Sequence, residues 1–124
     1  MSKTRLWAGR ILSGIPALLL LTSGINLALI QSQDVRDSFT KLQYPESLYV
    51  PIGILEFVCA VLYVIPRTSV LGAILVTAYL GGATASHVRI NDPSFIGAVI
   101  VGVMVWAGLY LREDRLRALV PLRS

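Results

Sequence analysis

The sequence predicts an all-α membrane protein, a bundle of four transmembrane helices with both termini on the cytoplasmic side. Hydrophobic residues make up 55% of the 124 residues, charged residues make up 15%, and the mean hydropathy is +0.70. Soluble domains carry about 25% charged residues, and a soluble domain of this composition would expose large apolar patches. The charges cluster between four apolar stretches, so we interpret residues 1–124 as a single transmembrane domain.

The first apolar stretch covers about residues 7–30 and follows Lys3, Arg5 and Arg10. A secretory signal also begins with basic residues, but its apolar region spans only about 7–15 residues and precedes a cleavage site of small residues. This stretch is about twice as long and has no convincing cleavage site after it. We therefore predict a retained transmembrane helix.

Three further stretches complete the bundle. The second span, about residues 48–65, ends at Pro66, which cannot continue the hydrogen bonding of a helix. The third and fourth spans, about residues 70–88 and 95–111, are separated by residues 89–93, whose composition is typical of a turn. All three are short for a bilayer, so these helices should stand fairly upright.

Basic residues predict the orientation, because cytoplasmic loops of membrane proteins are enriched in Lys and Arg. With the N-terminus inside, eight basic residues face the cytoplasm and three face the outside. The eight are Lys3, Arg5, Arg10, Arg67, Arg112, Arg115, Arg117 and Arg123, and the three are Arg36, Lys41 and Arg89. The bias predicts that both termini are cytoplasmic.

The long outer loop between the first two spans carries Val35, Phe39 and Leu42 at positions i, i+4 and i+7. This spacing predicts a short amphipathic helix on the outer face, with a solvated loop as the alternative.

In the third span, Ala78, Gly82 and Ser86 form a stripe of small residues. Such stripes let helices approach closely in lipid, so we expect the third span to pack through it.

The acidic side chain of Glu56 lies near the middle of the second span. An ionised carboxylate at that depth costs about 2.5–3.5 kcal/mol on insertion scales, so the side chain needs a proton, a cation or hydrogen-bond donors. A 3-4-3-4 spacing puts it on one helix face with two tyrosines and two small residues. These are Tyr49, Gly53, Ala60 and Tyr63. We expect this face to point into the bundle.

Four other polar residues lie at a similar depth in the outer half, and the candidate ligand-binding set is Glu56, His87, Asn26, Tyr79 and Thr84. Two interpretations stay open: a structural hydrogen-bond cluster, or a site for a ligand or proton. We predict no metal site, because one His and one intramembrane carboxylate are too few ligands. We also predict no catalytic residue, since the only thiol, Cys59, lies in apolar surroundings that do not activate it.

Several motifs resemble a known family. They are Gly53-Ile54-Leu55-Glu56, Ile65-Pro66-Arg67-Thr68, Leu71-Gly72-Ala73, Tyr79-Leu80-Gly81-Gly82-Ala83, His87-Val88-Arg89 and, in the first span, Arg10, Gly14 and Gly24. This pattern is similar to that of the DoxX-like family of small four-helix bacterial membrane proteins. The resemblance implies a multi-pass protein of the bacterial plasma (inner) membrane. The family often has a lysine shortly after Gly24; it is missing here, so Glu56 must find another partner.

The family's founding members are associated with thiosulfate:quinone oxidoreduction, and other relatives are linked to membrane-bound redox complexes. The resemblance therefore implies an accessory or ligand-binding subunit of a quinone-linked redox system. It favours a protein that associates with a redox enzyme over one that is an enzyme on its own. The cofactor is unknown, with a quinone as the candidate. Expected partners are the lipid bilayer, a small amphipathic ligand, and a redox protein or further copies of the chain. The alternatives are a small proton-coupled transporter using Glu56 and a purely structural scaffold.

Nucleic acid is not an expected partner, although the net charge is +4. The basic residues flank apolar spans instead of lining a polar face, which favours anionic lipid headgroups as their counterions.

Overall fold

A computed structural model of the chain describes residues 2–119, and these form helices, turns and loops without a β-strand. The helices are α1 (Lys3–Ile25), which continues as a π-helical segment (Asn26–Ile30), α2 (Gln33–Leu42), α3 (Tyr49–Val64), α4 (Ser69–Arg89), α5 (Phe95–Arg112) and α6 (Asp114–Arg117). Short 3-10 segments, Glu46–Leu48 and Pro66–Thr68, lead into α3 and α4.

Within residues 2–119, four segments are long and apolar enough to cross a membrane. They are Lys3–Ile30, Glu46–Val64, Pro66–Arg89 and Phe95–Arg112. The predicted four-helix membrane fold is confirmed, and each span lies within a few residues of its predicted bounds. The predicted amphipathic helix is also present as α2, with Phe39 and Leu42 buried.

The four long helices form a ring in which each packs mainly against two neighbours. Helix α1 packs against α3 and α5, and α4 packs against the same two helices. Large apolar side chains remain exposed around the outside of the ring, as on Leu18, Ile54 and Val103. A surface of this kind fits lipid and not water, because hydrocarbon solvates such side chains without penalty.

Glycines allow close helix contacts at several places, and one of them lies between α1 and α3. A Cβ atom on Gly53 would lie 2.8 Å from the Gly24 carbonyl oxygen and 2.7 Å from the Ala28 backbone nitrogen. The packing predicted for the small-residue stripe of α4 is wrong: Ala78 and Gly82 are exposed, and a Cβ on Gly82 would meet nothing within 4 Å. Close contacts instead use Gly24 and Gly53 between α1 and α3, Gly72 between α4 and α3, and Gly108 between α5 and α1, as small-residue packing in lipid requires.

The face of α3 that was expected to point inward does so: Tyr49, Gly53, Glu56, Ala60 and Tyr63 are all buried, together with Cys59. Because these residues recur every three or four positions, they line one side of the helix and meet the other three long helices. The confirmed orientation puts an acidic side chain inside the bundle.

Arg112, near the α6 end of the bundle, connects all four long helices. Its Nε donates to the Ser13 hydroxyl at 2.9 Å, its Nη1 to the Ser69 hydroxyl at 3.3 Å, and its Nη2 to the Tyr63 carbonyl oxygen at 3.1 Å. Its guanidinium also lies over the Tyr63 ring, 4.9 Å from the centroid. The Tyr63 hydroxyl lies 2.9 Å from the Ser13 hydroxyl oxygen. We call this set, Ser13, Tyr63, Ser69 and Arg112, the arginine cluster.

The opposite end of the bundle is covered by α2. The Phe39 ring packs edge-on against Tyr49, with centroids 4.7 Å apart, and both rings form a buried apolar cluster with Leu27. Beyond α2, the Arg89 guanidinium donates to the Leu42 carbonyl oxygen at 2.5 Å. These contacts hold α2 as a cap over the ends of α1, α3 and α4.

Candidate functional site

The carboxyl group of Glu56 lies between three helices and is only 2% exposed. Its Oε2 accepts a hydrogen bond from the Ser23 hydroxyl of α1 at 3.2 Å and another from the Tyr79 hydroxyl of α4 at 3.0 Å. Among residues 2–119, no basic side chain forms an ion pair with Glu56. Two neutral hydroxyl donors, and not a cation, therefore satisfy this acid.

The local structure explains why these three residues meet. Ser23 precedes Gly24, and Glu56 follows Gly53 by three residues, so both polar groups lie beside the contact where α1 and α3 approach most closely. Tyr79 comes from α4, which packs against α3, and its long side chain reaches the carboxyl group. We call Ser23, Glu56 and Tyr79 the carboxyl cluster.

A cavity of about 710 Å³ adjoins the carboxyl cluster beneath α2. Helices α1, α2, α3 and α4 all contribute to its wall, which is mostly apolar. Its polar lining residues are Ser23, Asp34, Ser38, Tyr44, Tyr79, Ser86 and His87. We call it the α2 cavity. Ser23 and Tyr79 line it, whereas Glu56 lies behind them.

A second, polar cleft of about 340 Å³ lies at the same end of the bundle. Three residues, Asp34, Ser38 and His87, line both the cleft and the α2 cavity, so the two spaces adjoin. The cleft also contains Asp92, whose carboxylate accepts a hydrogen bond from the Ser94 backbone N–H at 3.0 Å. That bond, with further help from Lys41, lowers the pKa of Asp92 to about 2.

The structure brings Glu56 and Tyr79, two of the five predicted site residues, into direct contact. His87 lines the α2 cavity with Tyr79, and its Nδ1 lies 2.7 Å from the Ala83 carbonyl oxygen. Because a carbonyl oxygen only accepts, Nδ1 carries the ring proton, and Nε2 of a neutral ring is an acceptor.

Asn26 and Thr84 do not join the cluster. The Asn26 side-chain oxygen accepts a hydrogen bond from the Ser32 backbone N–H at 3.1 Å, which fixes the loop before α2. The Thr84 hydroxyl donates to the Leu80 carbonyl oxygen at 2.8 Å, and Thr84 lines a separate apolar groove between α4 and α5. Each side chain thus bonds to nearby backbone and not to Glu56.

Ser23 is the site residue that the sequence analysis missed. A serine in a transmembrane helix commonly donates its hydroxyl proton to a backbone carbonyl oxygen of its own helix, so its presence in a sequence gives little sign of a site. The usable signal was its position three residues before Asn26, on the same helix face, and next to a glycine. Among residues 2–119, no group of three or more His, Cys, Asp or Glu side chains is placed to hold a metal ion.

The sequence model of the DoxX-like family matches residues 11–109. The matched range contains the carboxyl cluster, the residues that line the α2 cavity, and most of the bundle. No curated protein and no solved structure matches the chain.

Proposed function

The chain belongs to the DoxX-like family, and we propose that it is a ligand-binding subunit of a quinone-linked redox system in the bacterial inner membrane. The observation that carries the proposal is the α2 cavity, whose volume of about 710 Å³ falls in the usual range for small-molecule sites. Its wall is apolar, with a few polar groups at defined points, as in sites that fix the orientation of an amphipathic ligand.

The position of the cavity suits a ligand that arrives through the lipid. Three of its lining residues, Leu55, Ala78 and Gly82, are exposed on the outside of the bundle between α3 and α4. An isoprenoid tail can lie in this opening, while the ring reaches Tyr79 and Ser23. Glu56 then acts as a positioning residue, because it holds both hydroxyls without lining the cavity.

Charge distribution supports cytoplasmic termini. Among the described residues, the α6 end carries seven basic and two acidic side chains, whereas the α2 end carries three basic and four acidic ones. The predicted contribution of Arg123 lies outside the described residues. Because Lys and Arg are enriched on the cytoplasmic side, the α2 cavity belongs to the outer half of the membrane in this proposal.

Two neighbouring glycines of α4 offer a matched test. A Cβ on either Gly81 or Gly82 would meet nothing within 4 Å, but Gly82 lines the α2 cavity and Gly81 lines the groove between α4 and α5. A prenylated benzoquinone, supplied in both oxidised and reduced forms, should raise the thermal unfolding midpoint of the purified protein in a concentration-dependent way. We expect Gly82→Leu to abolish this shift and Gly81→Leu to retain it.

The proposal is refuted if neither form stabilises the wild-type protein and no quinone is found bound after purification. Equal loss of the shift in both glycine variants would show that the ligand does not occupy the α2 cavity.

Proton-coupled transport is the second candidate, favoured by the polar cleft that adjoins the α2 cavity through His87. Transport would require the α6 half to open as well, where Tyr63, Val105 and Leu109 are fully buried. Proton-driven flux into proteoliposomes that is lost in Glu56→Gln would support it. A Glu56→Gln variant that folds and preserves every cellular phenotype would instead favour a structural scaffold.

A further inference from the structure

We infer that the α2 cavity selects the reduced, hydroxyl-bearing form of its ligand, a hydroquinone, over the oxidised quinone. This inference rests on the proposed function and adds the direction of the hydrogen bonds at the polar end of the cavity.

The two hydroxyls of the carboxyl cluster already donate their protons to Glu56. The Tyr79 and Ser23 hydroxyls both point their hydrogens at Oε2 of Glu56, at 3.0 Å and 3.2 Å. Each hydroxyl carries one proton and two lone pairs, so lone pairs are what remain for a ligand in the α2 cavity. Oε2 can accept both bonds whether Glu56 is ionised or carries its proton on Oε1.

Other polar groups of the cavity follow the same pattern. The Ser86 hydroxyl donates to the Gly82 carbonyl oxygen at 2.9 Å, so its short contact with the Tyr44 hydroxyl uses the Tyr44 proton. His87 holds its proton on Nδ1 against Ala83, which leaves Nε2 as an acceptor when the ring is neutral.

Ser38, on an exposed position of α2, is the lining residue whose hydroxyl proton has no acceptor among the described residues 2–119. It lies at the boundary with the polar cleft, away from the carboxyl cluster.

Acceptor groups discriminate between the two redox forms of a ligand. A hydroquinone donates through its O–H groups, whereas a quinone offers only carbonyl acceptors, which would face the lone pairs of Tyr79 and Ser23. A quinone gains a bond only if one of these hydroxyls turns its proton away from Glu56, which leaves a buried carboxyl oxygen with one donor fewer. One such unmade bond corresponds to about tenfold or more in affinity.

Three ligands that share one prenyl tail test the inference on the full-length protein: the quinone, the hydroquinone under anaerobic reducing conditions, and the hydroquinone dimethyl ether. Dissociation constants come from the dependence of the unfolding midpoint on ligand concentration. We expect the hydroquinone to bind about tenfold or more tightly than the quinone, and the ether to bind as weakly as the quinone. Equal or tighter binding of the quinone overturns the inference but leaves the proposed function standing, whereas no binding by any of the three also removes the proposed function.

Variants of the carboxyl cluster separate a hydrogen-bond effect from a packing effect. Tyr79→Phe removes one acceptor and should weaken hydroquinone binding about tenfold without changing quinone binding. Tyr110→Phe, at a tyrosine of the groove between α4 and α5, is the matched control and should leave both constants unchanged. Ser23→Ala tests the same point where Tyr79→Phe does not yield folded protein.

Glu56→Gln provides the sharpest readout. The amide can donate a hydrogen bond to Tyr79 or Ser23, which frees a hydroxyl proton for a ligand carbonyl. The ratio of hydroquinone to quinone affinity should therefore fall towards one in this variant. An unchanged ratio would contradict the assigned role of Glu56 in orienting the two hydroxyls.

Discussion

Replacing Arg112 by methionine should destabilise the bundle by about 2–5 kcal/mol in all, because three hydrogen bonds between helices disappear at once and each contributes about 0.5–1.5 kcal/mol net. The bonds reach Ser13, Ser69 and the Tyr63 carbonyl group, so they connect α5 to α1, α4 and α3. The guanidinium over the Tyr63 ring adds about 0.5–1 kcal/mol. The methionine keeps the apolar stem and thus limits the change to the charged group.

The free energy of unfolding can be measured by titrating the purified protein from a mild detergent into a denaturing one. Arg115→Met is the matched control, because Arg115 is an exposed arginine of α6, and it should cost less than about 0.5 kcal/mol. Arg112→Lys should recover only part of the loss, since a single ammonium cannot reproduce a planar fork of donors. If Arg112→Met costs no more than Arg115→Met, the arginine cluster does not hold the four helices together.

Two further predictions concern the α1–α3 contact and the polar cleft. Gly53→Ala should destabilise the bundle by about 1–3 kcal/mol, because its Cβ would lie 2.7 Å from the Ala28 backbone nitrogen. Gly14→Ala, with open space around it, should be close to neutral. Equal unfolding midpoints for the two variants would contradict the close contact between α1 and α3. The pKa of Asp92 is lowered to about 2, so its contribution to stability, aided by Lys41, is fully present above about pH 4 and is lost as the pH falls through 2. The difference in unfolding free energy between wild type and Asp92→Asn should therefore be constant above about pH 4 and shrink below it; a difference that grows on acidification would refute this assignment.

The sequence was sufficient for the parts of the fold that depend on one helix at a time. Apolar length separates the four spans, and the 3-4-3-4 spacing around Glu56 identifies the buried face of α3. The spacing of Phe39 and Leu42 likewise identified α2 and its buried side. Each of these properties is a periodicity within a single segment, so no knowledge of neighbouring helices is needed.

The partners of Glu56 depend on how one helix is rotated against another, and a sequence does not record that rotation. Counting residues predicted a shared depth for Asn26, Thr84 and Glu56, but the first two side chains bond to backbone groups near them in the chain. Asn26 also begins a π-helical segment, whose wider turn changes the direction of the side chains that follow. Ser23, one turn earlier, faces α3 and makes the contact instead.

The inward position of Arg112 is a second feature that the sequence does not predict. In the sequence it counts as one of several basic residues at a membrane boundary, where arginines usually extend towards water. In the structure it turns inward, because two hydroxyls and a carbonyl group from three other helices converge on its donors. The three acceptors lie 43 to 99 residues away from Arg112 in the chain, so they leave no local pattern to detect.

The arginine cluster joins all four long helices at one end, whereas the α2 cavity opens between two of them at the other. The bonds of Arg112 thus lie at one end of α4, and the lining of the α2 cavity lies at the other end. The distance along α4 from Ser69 to His87 is about 27 Å, so a tilt of α4 by about 5° about its Ser69 end moves its His87 end by roughly 2 Å without bending a helix. Such a tilt would leave the hydrogen bonds of Arg112 in place, but it would stretch the bond from Tyr79 of α4 to Glu56 of α3.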